Sequence, residues 1–311
     1  MRMKPKERFL CALNRGIPDR VPTFELEFQL SEELCGKHFL TEEDMKNDSP
    51  KEQERKVAEN AETLIDVYTR LEHDAICVQY LNEAHQIETV RRLHELSGDT
   101  FAIFAHGDGT FAIPDGDGFE KMVVAMYEDP DSLHEEARQM RDEAIRHDRK
   151  LLEAGYDGFI LCSDYCFNQG PFMSPKMFSE FVFPYLAEII ASIREGGGYA
   201  IKHTDGNIMP IIDQLVAANP HALHSLDPMA GVDIAEVKRL YGDKVALCGN
   251  VHCAAMQTGT EEEVIASAEY CLTHAKPGGG YIFATSNIPF RGLPLERYLL
   301  VLDVWKRMRD Y

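Results

Sequence analysis

Eight short apolar runs recur along the chain, at residues 20–27, 74–80, 100–105, 157–162, 199–203, 222–226, 244–248 and 281–284. Each is followed by a polar or glycine-containing loop and then by a longer segment with apolar residues at helical spacing. Several runs lack strict polar alternation, the pattern of parallel strands covered on both faces. Eight strand–helix units predict an α/β fold of the (β/α)8 barrel (TIM barrel) type, spanning residues 1–311 as one domain. An open doubly wound sheet is the competing architecture. It gives no reason for eight units, and the glycine fingerprint it would carry after the first strand is absent.

The intervening segments carry helix signals. Residues 4–14 precede the first run and form an extra N-terminal helix that would close the bottom of a barrel. Ser174 before Pro175 reads as an N-cap followed by a proline at the first helical position. Thr260 with Glu263 reads as a capping box. Asp129-Pro130 separates a helix over 120–127 from one over 132–154. Another is expected over 208–218, and residues 30–50 form a long insertion that would cover the top. The triplets Gly196-Gly197-Gly198 and Gly278-Gly279-Gly280 precede strands. They read as turns, because a phosphate loop needs its glycines after a strand and before a helix.

Composition narrows the function. The formal net charge is −20, from 32 basic and 52 acidic residues, a field that repels nucleic acid and anionic membranes. No run of 18 apolar residues is present, so no membrane span is expected. No apolar stretch follows the basic start, so no secretory leader is expected either. The eight cysteines are scattered without a Cys-x-x-Cys pair and read as reduced thiols of a cytoplasmic protein. Trp305 lies among Leu295, Leu299 and Leu302 and is expected to pack.

A barrel keeps its chemistry at the carboxyl ends of its strands. That rim holds Glu25 and Glu27, Tyr80 and Asn82, His106 and Asp108, and Asp164 with Asn168 and Gln169. It continues through His203, Asp205 and Asn207, then Asp227, Cys248 with Asn250, and Ser286 with Asn287. His203-Thr204-Asp205 places an imidazole and a carboxylate two residues apart, on one side if strand geometry persists. The pair suits a metal or an acid/base couple; equally, Asp205 would N-cap the next helix while His203 hydrogen-bonds within the mouth. Glu25 and Glu27 flank Leu26 and can share one face, as a coupled carboxylate pair or as a solvated rim. Cys248 offers a thiolate for zinc or a small buried side chain. Cys162 with Cys166, and His252 with Cys253, are weaker pairings of the same kind.

With these residues in place, the chain resembles the uroporphyrinogen decarboxylase superfamily, which also contains the cobamide-dependent methyltransferases. The resemblance rests on the opening segment (Glu7, Arg8, Phe9 and Leu10 through Pro18-Asp19-Arg20-Val21-Pro22), on Gly170-Pro171-Phe172-Met173-Ser174-Pro175 with Pro184, and on Lys202 to Asn207. Gly249-Asn250-Val251 and Pro277 to Tyr281 complete it. It implies a (β/α)8 barrel with its site at the C-terminal mouth. In the methyltransferase branch it implies a zinc ion held by a His-x-Cys pair after the fifth strand and a later cysteine after the eighth. His203 matches the histidine, Asp205 stands at the first cysteine position, and the later one falls near Ala284-Thr285-Ser286-Asn287. The arginine-rich segment that the decarboxylase branch carries after the first strand is replaced here by Phe24-Glu25-Leu26-Glu27-Phe28. Desolvated acidic groups facing a poly-acid repel it by roughly several kcal/mol.

The resemblance therefore implies methyl transfer from a methylcorrinoid, carried by a separate corrinoid protein, to a small acceptor. Asp164, Asp205 and Glu25 are the catalytic candidates. Glu27, Tyr80, His106, Asn207, Asn250 and Ser286 are the substrate-binding candidates. His203, Asp205 and Cys248 are the candidate ligands of a metal, with zinc first. Metal-free porphyrinogen decarboxylation, a carboxy-lyase reaction, is the alternative; a non-catalytic partner of a corrinoid protein is the third. The expected partners are a small-molecule substrate, the corrinoid protein and, as a homodimer, a second copy of the chain.

Overall fold

A computed structural model describes residues 2–311. In chain order the elements begin with α1 (Pro5–Leu13), α2 (Ser31–Cys35), α3 (Pro50–Arg70), β1 (Ala75–Val78), α4 (Glu83–Ser97) and β2 (Ala102–Gly107). Next come α5 (Gly118–Glu128), α6 (Pro130–Ala154), β3 (Gly158–Leu161), a small hairpin of β4 (Cys166–Phe167) and β5 (Gly170–Pro171), α7 (Pro175–Phe181) and α8 (Phe183–Glu195). The second half holds β6 (Tyr199–Thr204), α9 (Ile212–Ala217), β7 (Ala222–Ser225), α10 (Ile234–Tyr241) and β8 (Ala246–Val251). It ends with α11 (Cys253–Thr258), α12 (Glu261–Ala275), β9 (Tyr281–Thr285) and α13 (Leu295–Met308).

Seven parallel strands form one curled sheet in the order β1-β2-β3-β6-β7-β8-β9. The first predicted strand is reduced to a splice between its edges. The Thr23 carbonyl accepts from Asp74 N at 2.8 Å, the Pro22 carbonyl accepts from Phe283 N at 2.9 Å, and Thr23 bridges Phe283 in parallel. The ladder stops there for two local reasons. Pro22 has no N–H to give, and the N–H of Thr23 goes to the Asp74 side chain at 2.9 Å instead. The splice closes the sheet into a (β/α)8 barrel with seven regular strands and one abbreviated one.

Alternation along the strands separates two cores. Phe24, Leu26, Ala75, Cys77, Phe104, Ile160, Ile201, Cys248 and Ile282 fill the barrel interior. Their neighbours, such as Ile76, Ile103, Phe159, Leu247 and Phe283, face the helical jacket. Phe9, Ala12 and Leu13 of α1 belong to the interior core, and Phe9 packs edge-on against Phe24 and Phe104. Lys6 N reaches the Thr100 carbonyl just before β2, so α1 plugs the N-terminal end as predicted. Arg8 locks it there, with Nε at 2.6 Å from Asp19 and Nη1 against the fully buried Asp74.

The capping signals act as the sequence implies. Ser174 accepts from Met177 N, Asp129 from Ser132 N, and Thr260 with Glu263 closes a reciprocal box. Both glycine triplets are turns leading into β6 and β9. One predicted helix starts late: α9 begins at Ile212 rather than 208. Pro210 disfavours a helical Met209, and the Asn207 side chain accepts from Met209 N to make a local turn. Asp205 therefore does not cap that helix. Among the described residues no helix is long and apolar enough to cross a membrane.

Candidate active site at the barrel mouth

The site grows out of β6 and β7, which pair in register with His203 opposite His224. Ile201 and Ala222, two residues earlier, are interior, so both imidazoles point into the barrel just beneath its mouth. Their Nδ1 atoms lie 2.8 Å apart, and both rings are buried. Burial, reinforced by His224 and Lys202, holds His203 well below the usual histidine value. Burial also lowers His224 to about 3. Two neutral rings sharing one contact need one donor and one acceptor. If His203 Nδ1 donates, its Nε2 presents a lone pair to the mouth.

That Nε2 faces two carboxylates, Asp164 Oδ1 at 3.7 Å and Asp205 Oδ1 at 3.9 Å. The loops holding them are cross-tied. Asp164 Oδ1 accepts from Asp205 N at 2.8 Å, and Asn287 Nδ2 donates to Asp205 Oδ2. Gly206 makes the turn possible: its φ is +81°, and an added Cβ would lie 2.3 Å from the Cys166 carbonyl. Burial first, then the neighbouring Asp164, pushes Asp205 up to about 7. Asp205 Oδ1 is enclosed without a hydrogen-bond partner.

One ligand atom from each of Asp164, His203 and Asp205 lies within 4.8 Å of the others. An imidazole nitrogen and two carboxylate oxygens are a suitable donor set for zinc or another divalent cation of similar preference. The orphaned Asp205 oxygen needs a donor or a cation. A thiolate-bound zinc does not fit. The positions matching the two family cysteines hold Asp205 and the Ser286-Asn287 pair, and Asn287 is bonded to Asp205.

Several predicted residues fall elsewhere. Glu25 does not join Glu27 at the rim. It is fully buried and bonded to Thr285, whose Oγ1 lies 2.5 Å from Glu25 Oε2. Tyr298 of α13 also contacts it. Burial raises Glu25 to about 8, so it is a neutral packing acid at moderate pH, outside the mouth. Phe24 and Leu26 point inward, which turns Glu25 outward. Glu27 and Tyr80 form a separate exposed pair, with the phenol donating to Glu27 Oε2 at 2.7 Å. Cys248 is fully buried among interior apolar side chains, where its thiol is raised far above the ordinary range. It is a core residue and lies outside the metal cluster. Asn250 has both ends engaged, Nδ2 to the Leu226 carbonyl and Oδ1 to Cys271 Sγ, so its amide is structural. Asn207 spends its side chain on Met209 N. His252 caps α11, and Trp305 packs as expected while donating to the Val21 carbonyl.

His106 Nε2 lies 3.4 Å from the Leu26 backbone carbonyl, and the residue lines a cavity of about 870 Å³ between the ends of β2 and β3 and helix α6, beside the cluster rather than over it. A second cavity, about 450 Å³, adjoins the cluster directly and includes Asp205, Asp227, Ser286 and Asn287. Reasoning from sequence missed His224. Its signal was present: residue 224 has the same inward parity after Ala222 as His203 has after Ile201.

A (β/α)8 barrel whose polar cluster stands at the carboxyl ends of its strands is the architecture of an enzyme. The pattern of the uroporphyrinogen decarboxylase (URO-D) family matches residues 84–306, and the chain belongs to that family. The uroporphyrinogen decarboxylase of Pseudoalteromonas translucida (strain TAC 125) is 25% identical over 213 residues, covering 63% of this chain and 55% of that protein. That of Anaeromyxobacter dehalogenans (strain 2CP-C) is 24% identical over 245 residues, covering 76% and 68%. The chain thus spans little more than half the length of several relatives it matches. A solved methyltransferase from Methanosarcina mazei superposes with a TM-score of 0.78 at 16% identity, over 98% of this chain and 99% of that one, which establishes the shared fold.

Proposed function

We propose that the protein catalyses metal-assisted methyl transfer between a methylcorrinoid, carried by a separate protein, and a small molecule held at the barrel mouth. The convergence of Asp164, His203 and Asp205 on one point carries this reading. A bound divalent cation would supply Lewis acidity to the nucleophile. His224 holds the His203 ring, the Asp205 amide holds Asp164, and Asn287 holds one oxygen of Asp205 so that the other faces the cluster. The apolar barrel interior and the α1 plug exclude water from beneath. Metal analysis of protein purified without chelator, beside His203→Ala, tests the reading. Near-stoichiometric metal is expected in the first and little in the second; equal, near-zero metal in both would sink it.

Decarboxylation is the second reading, favoured by the named activity of the curated relatives. Asp205, pushed up to about 7, would then supply a proton at neutral pH. Formation of coproporphyrinogen from uroporphyrinogen by metal-free protein would establish it.

A further inference from the structure

The 450 Å³ cavity beside the cluster is of a size typical for small-molecule sites. Asp205 and Asp227 provide its carboxylates, Met229, Ile288 and Phe290 an apolar wall, and Gln257 an exposed edge. No lysine, arginine or histidine lines it. Asp227 is fixed in place, with Oδ1 accepting from Met229 N at 2.9 Å and Oδ2 from Gly206 N at 3.3 Å. Each of its oxygens keeps a further acceptor direction. The buried Lys202 offers the cavity no counter-charge, because its ammonium is held by Asp108 at 2.8 Å and by the Leu161 and Ser163 carbonyls.

We infer that the small molecule that accepts the methyl group is an organic cation: an ammonium-type head on a short apolar body, with the nucleophilic atom that takes the methyl carried separately from that head and turned toward the Asp164–His203–Asp205 cluster. The inference rests on the proposed function only in taking this cavity as the substrate cavity. An anionic head seated at Asp227 itself would face a carboxylate with no lysine, arginine or histidine of the lining to pair with, which is unfavourable. A cationic head meets Asp227, and its methylene or methyl surface meets Met229, Ile288 and the Phe290 ring, a favourable surface for such groups.

The test is calorimetric titration of the full chain with three probes: choline, its neutral isostere 3,3-dimethyl-1-butanol, and the anion 2-hydroxyethanesulfonate. Choline is expected to bind about tenfold more tightly than the alcohol, and the sulfonate more weakly than either. Asp227→Asn should erase most of the preference. Gln257→Lys, at the exposed edge, should strengthen sulfonate binding without touching the loop that Asp227 braces. Equal binding of all three probes, tighter sulfonate binding, or no detectable choline binding would overturn the inference. Metal content and methyl transfer are measured on the same preparation. Their loss with the charge preference intact overturns the proposed function alone; methyl transfer with the preference absent overturns this inference alone.

Discussion

The two ends of the barrel use the same acidic side chains in opposite ways. At the N-terminal end Asp19 and Asp74 flank Arg8, and Asp74 also accepts from Thr23 N. Both of these carboxylates are paired with the Arg8 guanidinium, and the result is a sealed floor. At the C-terminal end Asp164 and Asp205 face each other across His203, with no lysine or arginine among their ion-pair partners in the described residues. Unmatched charge is unfavourable for the fold, and it persists where it serves binding or chemistry. Charge balance at the floor and its absence around His203, though not at the neighbouring Lys202–Asp108 pair, separate stability from function within one small barrel.

The contrast is most easily broken at the floor. Arg8→Met leaves Asp74 buried without its partner and is expected to destabilise the protein by about 3–5 kcal/mol, seen as a lowered urea midpoint. A loss below about 1 kcal/mol would place the floor and the mouth in the same energetic class. The next test uses Glu25, a buried acid near the top that has hydrogen bonds but no base. Its folded value of about 8 lies above its ordinary 4.5. Its contribution to stability is therefore full below pH 4.5 and is lost as the pH rises toward 8. Glu25→Gln should match the wild type at pH 4 and exceed it at pH 8.5, on the order of 2 kcal/mol. Identical profiles for the two proteins in urea titrations from pH 4 to 8.5 would refute the assignment. The smallest effect on stability is expected at His224. His224→Asn should leave the urea midpoint near that of wild type while weakening divalent-metal affinity about 10–100-fold, by releasing the His203 ring. Competition with a chromophoric chelator reads this directly, and unchanged affinity would make His224 a packing residue only.

The fold was largely legible in sequence because strand parity and caps are local. Ser174, Asp129 and Thr260 announced their helices, and 4–14 announced the plug. The abbreviated first strand was not, since it depends on the side chain of Asp74, some fifty residues away in sequence, taking an N–H that a ladder would have used. The same division runs through the site. His203, Asp164 and Asp205 could be placed because strand ends put them there. Glu25 could not, because Phe24 and Leu26 take the inward positions and leave it facing outward against Thr285 and Tyr298. Cys248 and Asn250 satisfied the rim pattern by position, yet parity sends the thiol inside and the Leu226 and Cys271 contacts consume the amide.

The α1 plug has one more consequence. A vessel sealed at its base has a single door. Whatever reaches Asp164, His203 and Asp205 arrives past the strand ends and departs the same way. A bulky donor seated on that doorway would lock the small molecule in behind it, so arrivals and departures must take turns. Under the proposed chemistry, steady-state kinetics should then follow a compulsory order: small molecule in first, carrier second, carrier away before product.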